Sequence, residues 1–298
     1  MKIALSPEVE AALAERRPVV ALESTVVAHG MPYPTNLEVA RETQDAVRDA
    51  GALPAMIGIV AGTLTAGLSD ATIADFAQRD DVAKVSRRDL AAVLAGERHG
   101  ATTVAATMIA ARLAGIQVFA TGGIGGVHRG GGRTLDVSAD LTELSRTPVA
   151  VVSAGAKAIL DLPRTLEMLE TLGVPVIGFG TDEFPAFYSR TSGLPVSASV
   201  ASAAEAAALL RAQWNLGLET AVLIANPIPT EAEMRDAESF IAEAVCEAET
   251  RGIVGKEVTP FLLGRLAELS EGRTQAANRA LIVHNGRVAA EIAVELSR

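Results

Sequence analysis

Residues 151–163, VVSAGAKAILDLP, join an apolar strand-like run to a helix-like segment through a few small residues. Similar apolar runs recur along the chain and alternate with helical patterns. These runs are PVVALES, AMIGIV, IQVFATGG, PVAVVSAG, VPVIGFG and TAVLIANPI. The alternation predicts an α/β fold with strands buried on both faces, and it places Lys157 in the first turn of a helix.

Helical spacing is clearest in three segments between these runs, namely NLEVARETQDAVRDAG, TLEMLETLG and ASVASAAEAAALLRAQWNLG. The first two end at glycine, a common helix stop. The sequence contains no solenoid-type repeat, low-complexity tract or Pro/Ser-rich linker. We therefore predict one compact α/β/α domain over residues 1–298.

The composition limits the classes of partner. The 298-residue chain has a formal net charge of -10 and 3% aromatic residues, so it offers neither a basic field nor stacking platforms for nucleic acid or an anionic membrane surface. Residues 50–69 carry no charge over about the length of a membrane span, but proline, glycine and threonine interrupt them. A single cysteine, Cys246, excludes internal disulfides and fits a cytoplasmic protein, as does the absence of a signal-peptide pattern.

Residues 120–141, ATGGIGGVHRGGGRTLDVSADL, contain seven glycines after a strand-like run. Glycine amides can approach an anion closely, although the spacing matches neither GxGxxG followed by a helix nor GxxxxGK[ST]. The spacing of Asp136 and Asp140 places both carboxylates on one side, which would suit Mg²⁺ or Mn²⁺. The alternatives are a flexible loop and a pair of solvated or capping aspartates.

Lys157 is the strongest candidate for covalent chemistry. A position in a first helical turn, partly out of water, disfavours the ammonium and favours a nucleophilic amine. The alternative is a lysine that extends from a helix end into solvent. Its position after a strand favours a functional role, because α/β sheets bind ligands at the carboxyl ends of their strands.

Further candidates occur in two other segments. Glu23 ends an apolar run in ALESTVVAHG and is a candidate buried acid, with helix capping or an arginine pair as the alternative. In AKVSRRDL, one or two of Lys84, Arg87 and Arg88 could bind phosphate while the others form solvated pairs. His29 and His128 adjoin these motifs without metal-ligand spacing, so a structural role is expected for both.

Taken together, the segments resemble the pseudouridine-5'-phosphate glycosidase family over almost the whole chain. The motifs that carry the resemblance are ALESTVVAHGMPYP, KVSRRDL, GATTVAATM, TGGIGGVHRG, DVSADLTEL, AGAKAILD, TLEMLETLGVPV, GFGTDEFPAFY, ANPIP and GKEVTPFLL. Their order and spacing make them specific as a set. The resemblance implies a three-layer α/β/α sandwich with a mixed, largely parallel sheet, assembled as a homotrimer.

The resemblance also implies a reversible reaction, in which pseudouridine 5'-phosphate and water give uracil and ribose 5-phosphate, with one Mn²⁺ per subunit. Lys157 matches the family's Schiff-base lysine, Glu23 its proton donor and Asp136 its metal ligand. The implied substrate contacts are Lys84, Val104, Ser138, Ala139, Asp140 and Asn278.

A lysine nucleophile suits this substrate. The base is joined to C1' through carbon, so protonation of a leaving heteroatom by a pair of carboxylates is not available. Two alternatives remain open from the residues alone. A Schiff-base aldolase acting on a phosphosugar would also use Lys157 as its nucleophile. A non-catalytic phosphosugar-binding module would give Glu23 no catalytic role.

Overall fold

A computed structural model of the chain describes residues 3–253 and 258–298. The first three positions of the motif GKEVTPFLL, residues 255–257, lie outside the described residues. The strands are β1 (Ala4–Leu5), β2 (Val19–Glu23), β3 (Leu53–Val60), β4 (Thr63–Ala66), β5 (Ala83–Val85), β6 (Gly100–Thr102), β7 (Val118–Ala120), β8 (Ala150–Ser153), β9 (Val176–Phe179), β10 (Ala198–Val200) and β11 (Val222–Ala225).

The helices alternate with these strands along the chain. They are α1 (Pro7–Ala14), α2 (Thr25–Ala28), α3 (Thr35–Asp49), α4 (Asp70–Phe76), α5 (Leu90–Ala95), α6 (Val104–Ala114), α7 (Gly131–Thr134), α8 (Ala139–Leu144), α9 (Leu162–Thr171), α10 (Ala203–Asn215), α11 (Ala237–Thr250), α12 (Val258–Leu269) and α13 (Arg273–Ser297). Each of the six predicted strands and three predicted helices is present, and the third helical segment also contains the short strand β10.

In the described part of the chain, the strands form one sheet in the order β1-β4-β3-β2-β7-β8-β11-β9-β10, with β5 paired to β6 and β6 to β3. The central pairs β2–β7, β7–β8 and β8–β11 are parallel. Strand β3 pairs antiparallel with β4 and β6. The predicted mixed, largely parallel sheet is confirmed, and its central strands end at a common edge.

Both faces of the central strands are buried. Val19 and Ala21 of β2 belong to one apolar cluster, whereas Val20 and Leu22 belong to another. Successive strand residues point to opposite faces, so this division places one cluster on each side of the sheet. Helices α6, α8 and α9 contribute to the first cluster, and α10 with the second half of α13 to the second. Helices therefore cover both faces, as the predicted three-layer α/β/α sandwich requires.

The structure corrects the predicted position of Lys157. It lies in a turn between β8 and α9, and the helix begins only at Leu162. Asp161 caps α9 by accepting a 3.1 Å hydrogen bond from the Arg164 backbone nitrogen, and a proline occupies the first turn. Both features fix the helix start after the lysine. The positive end of a helix is therefore not the immediate surrounding of Lys157.

Among the helices of residues 3–253 and 258–298, none is long and apolar enough to cross a membrane. Much of the uncharged stretch 50–69 forms β3 and β4 instead. All but the last residue of β3 are buried, which confirms the prediction that AMIGIV is a strand covered on both faces.

Candidate active site

Glu23 is the last residue of β2 and is 8% exposed. The hydroxyl groups of Thr25 and Thr121 each donate a hydrogen bond to one of its carboxylate oxygens. These bonds satisfy a carboxylate that is otherwise shielded from water. Thr121 directly follows β7, the parallel neighbour of β2. Sequence patterns did not indicate either threonine as a partner of Glu23, although Thr25 lies only two residues after it along the chain.

Lys157 is partly buried and lies beside the glycine-rich loop. Its backbone nitrogen donates to the Ile124 carbonyl oxygen over 3.0 Å, and the Ile124 nitrogen donates to the Gly155 carbonyl oxygen over 3.0 Å. The turn that carries the lysine is therefore tied to the loop that follows β7. Strands β7 and β8 are parallel neighbours, which brings Thr121 and Lys157 to the same edge of the sheet.

Lys84, in β5, is close enough to sense the charges of three other predicted site residues. Its side chain is accessible, but the surrounding protein removes enough water from the ammonium to lower its pKa. The positive charge of Lys157 lowers this pKa further, while the negative charges of Glu23 and Asp140 oppose the shift. Two cations and two carboxylates therefore share one electrostatic environment.

Asp140 is buried at the start of α8 and binds backbone amides. One carboxylate oxygen accepts from the Ala105 nitrogen at 3.0 Å and the other from the Gly125 nitrogen at 2.9 Å. It therefore fixes the glycine loop against the start of α6. The hypothesis of a cation held jointly by Asp136 and Asp140 receives no support, because both Asp140 oxygens already bind amides.

The remaining predicted substrate contacts surround this junction. Val104 begins α6, is 1% exposed and packs in the apolar core, so its side chain is not available to a ligand. Ser138 caps α8, accepting from the Asp140 nitrogen at 3.2 Å, and packs closely against Gly125. A side chain at position 125 would collide with Ser138, which explains the glycine there. Ala139 is exposed at the first position of α8.

Asp136 lies on the loop before α8, and its side chain is 47% exposed. The Nδ1 atom of His128 lies 3.9 Å from its carboxylate. Among the residues that the structure describes, no group of three or more His, Cys, Asp or Glu could hold a metal ion. Mg²⁺-like cations commonly keep several waters and use one or two carboxylates. One accessible carboxylate therefore fits a largely hydrated divalent ion, but not a protein cage.

The other cations of AKVSRRDL are engaged elsewhere. Arg87 forms a bidentate pair with buried Glu143, in which the Nη2–Oε1 distance is 2.8 Å. The Arg88 side chain is 90% exposed and lies 3.7 Å from Asp89. Lys84 is therefore the cation of this segment that faces the site. His29 lies beside it, and burial together with the Lys84 charge lowers the pKa of the histidine.

Asn278 lies in the second turn of α13, where its Oδ1 faces Gly122. It also lines a cavity of about 220 Å³. The residues that line this cavity are His29, Gly30, Met31, Pro32, Tyr188, Leu263, Gly264, Thr274, Gln275 and Asn278. The cavity thus lies between Asn278 of α13 and the loop that follows α2.

Comparison with known proteins gives consistent matches over the full length. Residues 8–295 match the family described as indigoidine synthase A like protein. Pseudouridine-5'-phosphate glycosidases of Caldanaerobacter subterraneus subsp. tengcongensis and Paracoccus denitrificans are each 56% identical, covering 99% of this chain and 97% and 98% of their own lengths. The prealnumycin C-glycosynthase AlnA, solved in complex with ribulose 5-phosphate, is 44% identical with a TM-score of 0.93, covering 100% of this chain and 97% of its own.

The fold and the converging acid, amines and amides define the class, which is an α/β enzyme. Within that class, the chain belongs to the indigoidine synthase A-like family and, by its curated relatives, to the pseudouridine-5'-phosphate glycosidases. The resemblance seen in the sequence motifs is thereby confirmed. The roles of individual residues stay predictions.

Proposed function

We propose that this chain cleaves the carbon–carbon glycosidic bond of pseudouridine 5'-phosphate reversibly, giving uracil and ribose 5-phosphate. The observation that carries the proposal is the convergence of Glu23, Lys84 and Lys157 at one edge of the sheet, in a chain 56% identical to named glycosidases. An acid and an amine together provide what a C-glycoside requires, since no heteroatom leaving group exists.

The proposed reaction begins with opening of the ribose ring. Glu23 donates a proton to the ring oxygen as the bond from that oxygen to C1' breaks, and the amine of Lys157 forms a bond to C1' and gives up a proton. Protonation of C5 of the base then allows the C1'–C5 bond to break. Uracil leaves as the lysine nitrogen forms an imine with C1'. Water hydrolyses the imine, so the balance is one water consumed for each uracil and ribose 5-phosphate released.

Binding of the two ends of the substrate is assigned to different parts of the site. The phosphate end is assigned to the junction of α6, α8 and the glycine loop, where a phosphate would meet amides and an ammonium. The residues assigned to this end are Lys84, Val104 through its amide, Ser138, Ala139 and Asp140. Asn278 and its cavity would receive the base, because an amide side chain can both donate to and accept from a pyrimidine.

The wild-type protein tests the proposal directly. Incubated with pseudouridine 5'-phosphate and Mn²⁺, it should release uracil and ribose 5-phosphate in equal amounts, and the reverse mixture should form the C-glycoside. A phosphosugar aldolase would cleave the sugar and release no uracil. A binding module would turn over neither mixture, and either result would refute the proposed function.

Lys84→Ala should raise KM for the phosphorylated substrate by roughly 10- to 150-fold, the scale of about 1.5–3 kcal/mol for a hydrogen bond to a charged group. Free pseudouridine lacks the phosphate, so its turnover should change much less. Steady-state kinetics on both substrates make the comparison, with Lys84→Arg as the control that keeps the charge. Equal loss on both substrates would remove Lys84 from phosphate recognition.

The pH dependence of binding provides a further check on Lys84. Its lowered pKa means that the ammonium loses its proton at a lower pH than an ordinary lysine does. The affinity of the wild-type protein for ribose 5-phosphate should therefore weaken as pH rises through that lowered value, and the Lys84→Arg protein should not share the change. Calorimetric titration of both proteins over an alkaline pH series measures the effect.

Mn²⁺ is proposed as the cofactor, held by Asp136 and water. When bound, it would supply positive charge that orients polar substrate groups near the glycine loop. The family resemblance and the accessible carboxylate support this assignment.

Asp136→Ala should lower the affinity for Mn²⁺ at least about tenfold and reduce turnover at limiting metal, since the carboxylate proposed to hold the ion is lost. Electron paramagnetic resonance measures free Mn²⁺ independently of activity. Asp49→Ala, at an exposed position in α3, makes the same change of charge and should leave binding unaltered. Normal Mn²⁺ binding by the Asp136→Ala protein would reject the assignment.

The proposal also includes a homotrimer, one domain over residues 1–298 and a cytoplasmic location. The resemblance to the family supports the trimer, and the single cysteine fits a reducing compartment. Sedimentation velocity should report a particle with three times the mass of the 30.8 kDa chain.

A further inference from the structure

A pair of buried asparagines lies at the ends of the central strands, next to the residues that hold Glu23. Asn226 directly follows β11 and is 2% exposed, whereas Asn285 is fully buried in α13. The Nδ2 atom of Asn226 donates to Oδ1 of Asn285 over 2.9 Å. Nδ2 of Asn285 donates to the Thr121 carbonyl oxygen at 2.8 Å and reaches the Gly122 carbonyl oxygen at 3.3 Å.

This pair connects the ends of four neighbouring strands. The Asn226 backbone nitrogen donates to the Ser153 carbonyl oxygen over 2.8 Å, which joins the end of β11 to that of β8. The Thr121 nitrogen donates to the Val152 carbonyl oxygen over 3.0 Å, which joins β7 to β8. The Thr121 hydroxyl then donates to Glu23, at the end of β2. The connection thus runs from α13 to the predicted general acid.

The composition of α13 makes these amides unusual. The neighbouring inward-facing residues of the helix, Leu281, Ile282, Val288 and Ala289, are apolar and buried. A buried amide costs free energy unless each polar group is bonded, and an apolar pair of similar volume can serve a fold as well. Packing alone therefore does not require amides at 226 and 285.

We infer that Asn285, oriented by Asn226, is a positioning residue that holds Thr121 so that its hydroxyl fixes the Glu23 carboxylate toward the substrate. The inference rests on the proposed function, because it gives Glu23 the role of proton donor. Misplacement of a catalytic group by about 1 Å can cost about 10²-fold in rate. The network would therefore act on turnover more than on substrate binding.

The test is a double-mutant cycle on pseudouridine 5'-phosphate turnover. Asn285→Leu should lower kcat roughly 10- to 100-fold and change KM less than about threefold. In a Glu23→Gln background, the same substitution should lower kcat less than about twofold, because the group that it positions no longer carries the proton. General loosening of the fold would lower kcat in both backgrounds.

Asn36→Leu is the matched control. Asn36 is a 3% exposed asparagine that bonds the Val27 and Ala77 carbonyl oxygens and the Leu37 nitrogen, whereas the hydrogen-bond partners of the Glu23 carboxylate are Thr25 and Thr121. Its loss should lower Tm as much as Asn285→Leu does, yet leave kcat of the folded protein within about twofold. If Asn285→Leu does not fold, Thr121→Val and Asn226→Ala enter the same cycle, with Thr121→Ser expected to restore most of the activity.

These measurements distinguish a failure of the proposed function from a failure of the positioning role of Asn285. Absence of uracil release by the wild-type protein would refute the proposed function. Wild-type turnover with an unchanged kcat for the network variants, or with equal losses in both Glu23 backgrounds, would refute the positioning role alone.

Discussion

Lys157→Arg should abolish turnover of pseudouridine 5'-phosphate, with a loss of roughly 10³-fold or more, because a guanidinium keeps the charge but cannot form an imine with C1'. Wild-type protein treated with borohydride and ribose 5-phosphate should gain the mass of a reduced pentose phosphate adduct on the peptide that contains Lys157. Intact and peptide mass spectrometry measure this adduct, and the Lys157→Arg protein should lack it.

The lysine that carries the adduct can be identified clearly, since the sequence has four lysines, at positions 2, 84, 157 and 256. Lys84 is the natural competitor, because its ammonium shares the electrostatic environment of Lys157. A Lys84→Arg protein should therefore still form the adduct at Lys157. An adduct at Lys84, or turnover without any trapped adduct, would contradict the nucleophile assignment.

Glu23→Gln should lower kcat by roughly 10²- to 10⁴-fold while substrate affinity changes little, which is the usual effect of losing a positioned acid. Glutamine preserves the shape of the side chain and can still bond Thr25 and Thr121, but it cannot transfer the proton that the ring oxygen needs. The measurement is kcat and the affinity for ribose 5-phosphate on one preparation, with thermal melting to verify folding.

Glu143→Gln is the matched control for this substitution. Glu143 is another buried glutamate, 1% exposed, and its partners are Arg87 and Thr147. Its replacement should reduce stability, because Arg87 loses a charged partner, yet leave kcat of the folded protein within about threefold. If Glu23→Gln kept near-normal kcat, the carboxylate would be structural and the proton would come from another group, with His29 the next candidate to test.

Several features could be predicted from the sequence because they depend on local patterns. Apolar runs such as residues 53–60 have too few polar groups to face water on either side, so their burial in the middle of a sheet follows from composition. Helix α3 likewise shows its spacing in the sequence. Motif order then identified the family, since the types of residue at Glu23, Lys84, Asp136 and Lys157 are visible without coordinates.

Other features depended on tertiary structure, because they involve residues that are distant in sequence. Glu23 and Thr121 meet only because β2 and β7 are parallel neighbours with ends at one edge. The four-residue separation of Asp136 and Asp140 suggested a shared cation. In the fold, Asp140 instead faces inward and binds two backbone amides, whereas Asp136 stays accessible. Spacing fixes which residues are near along the chain, whereas strand order and packing decide which groups compete for each carboxylate.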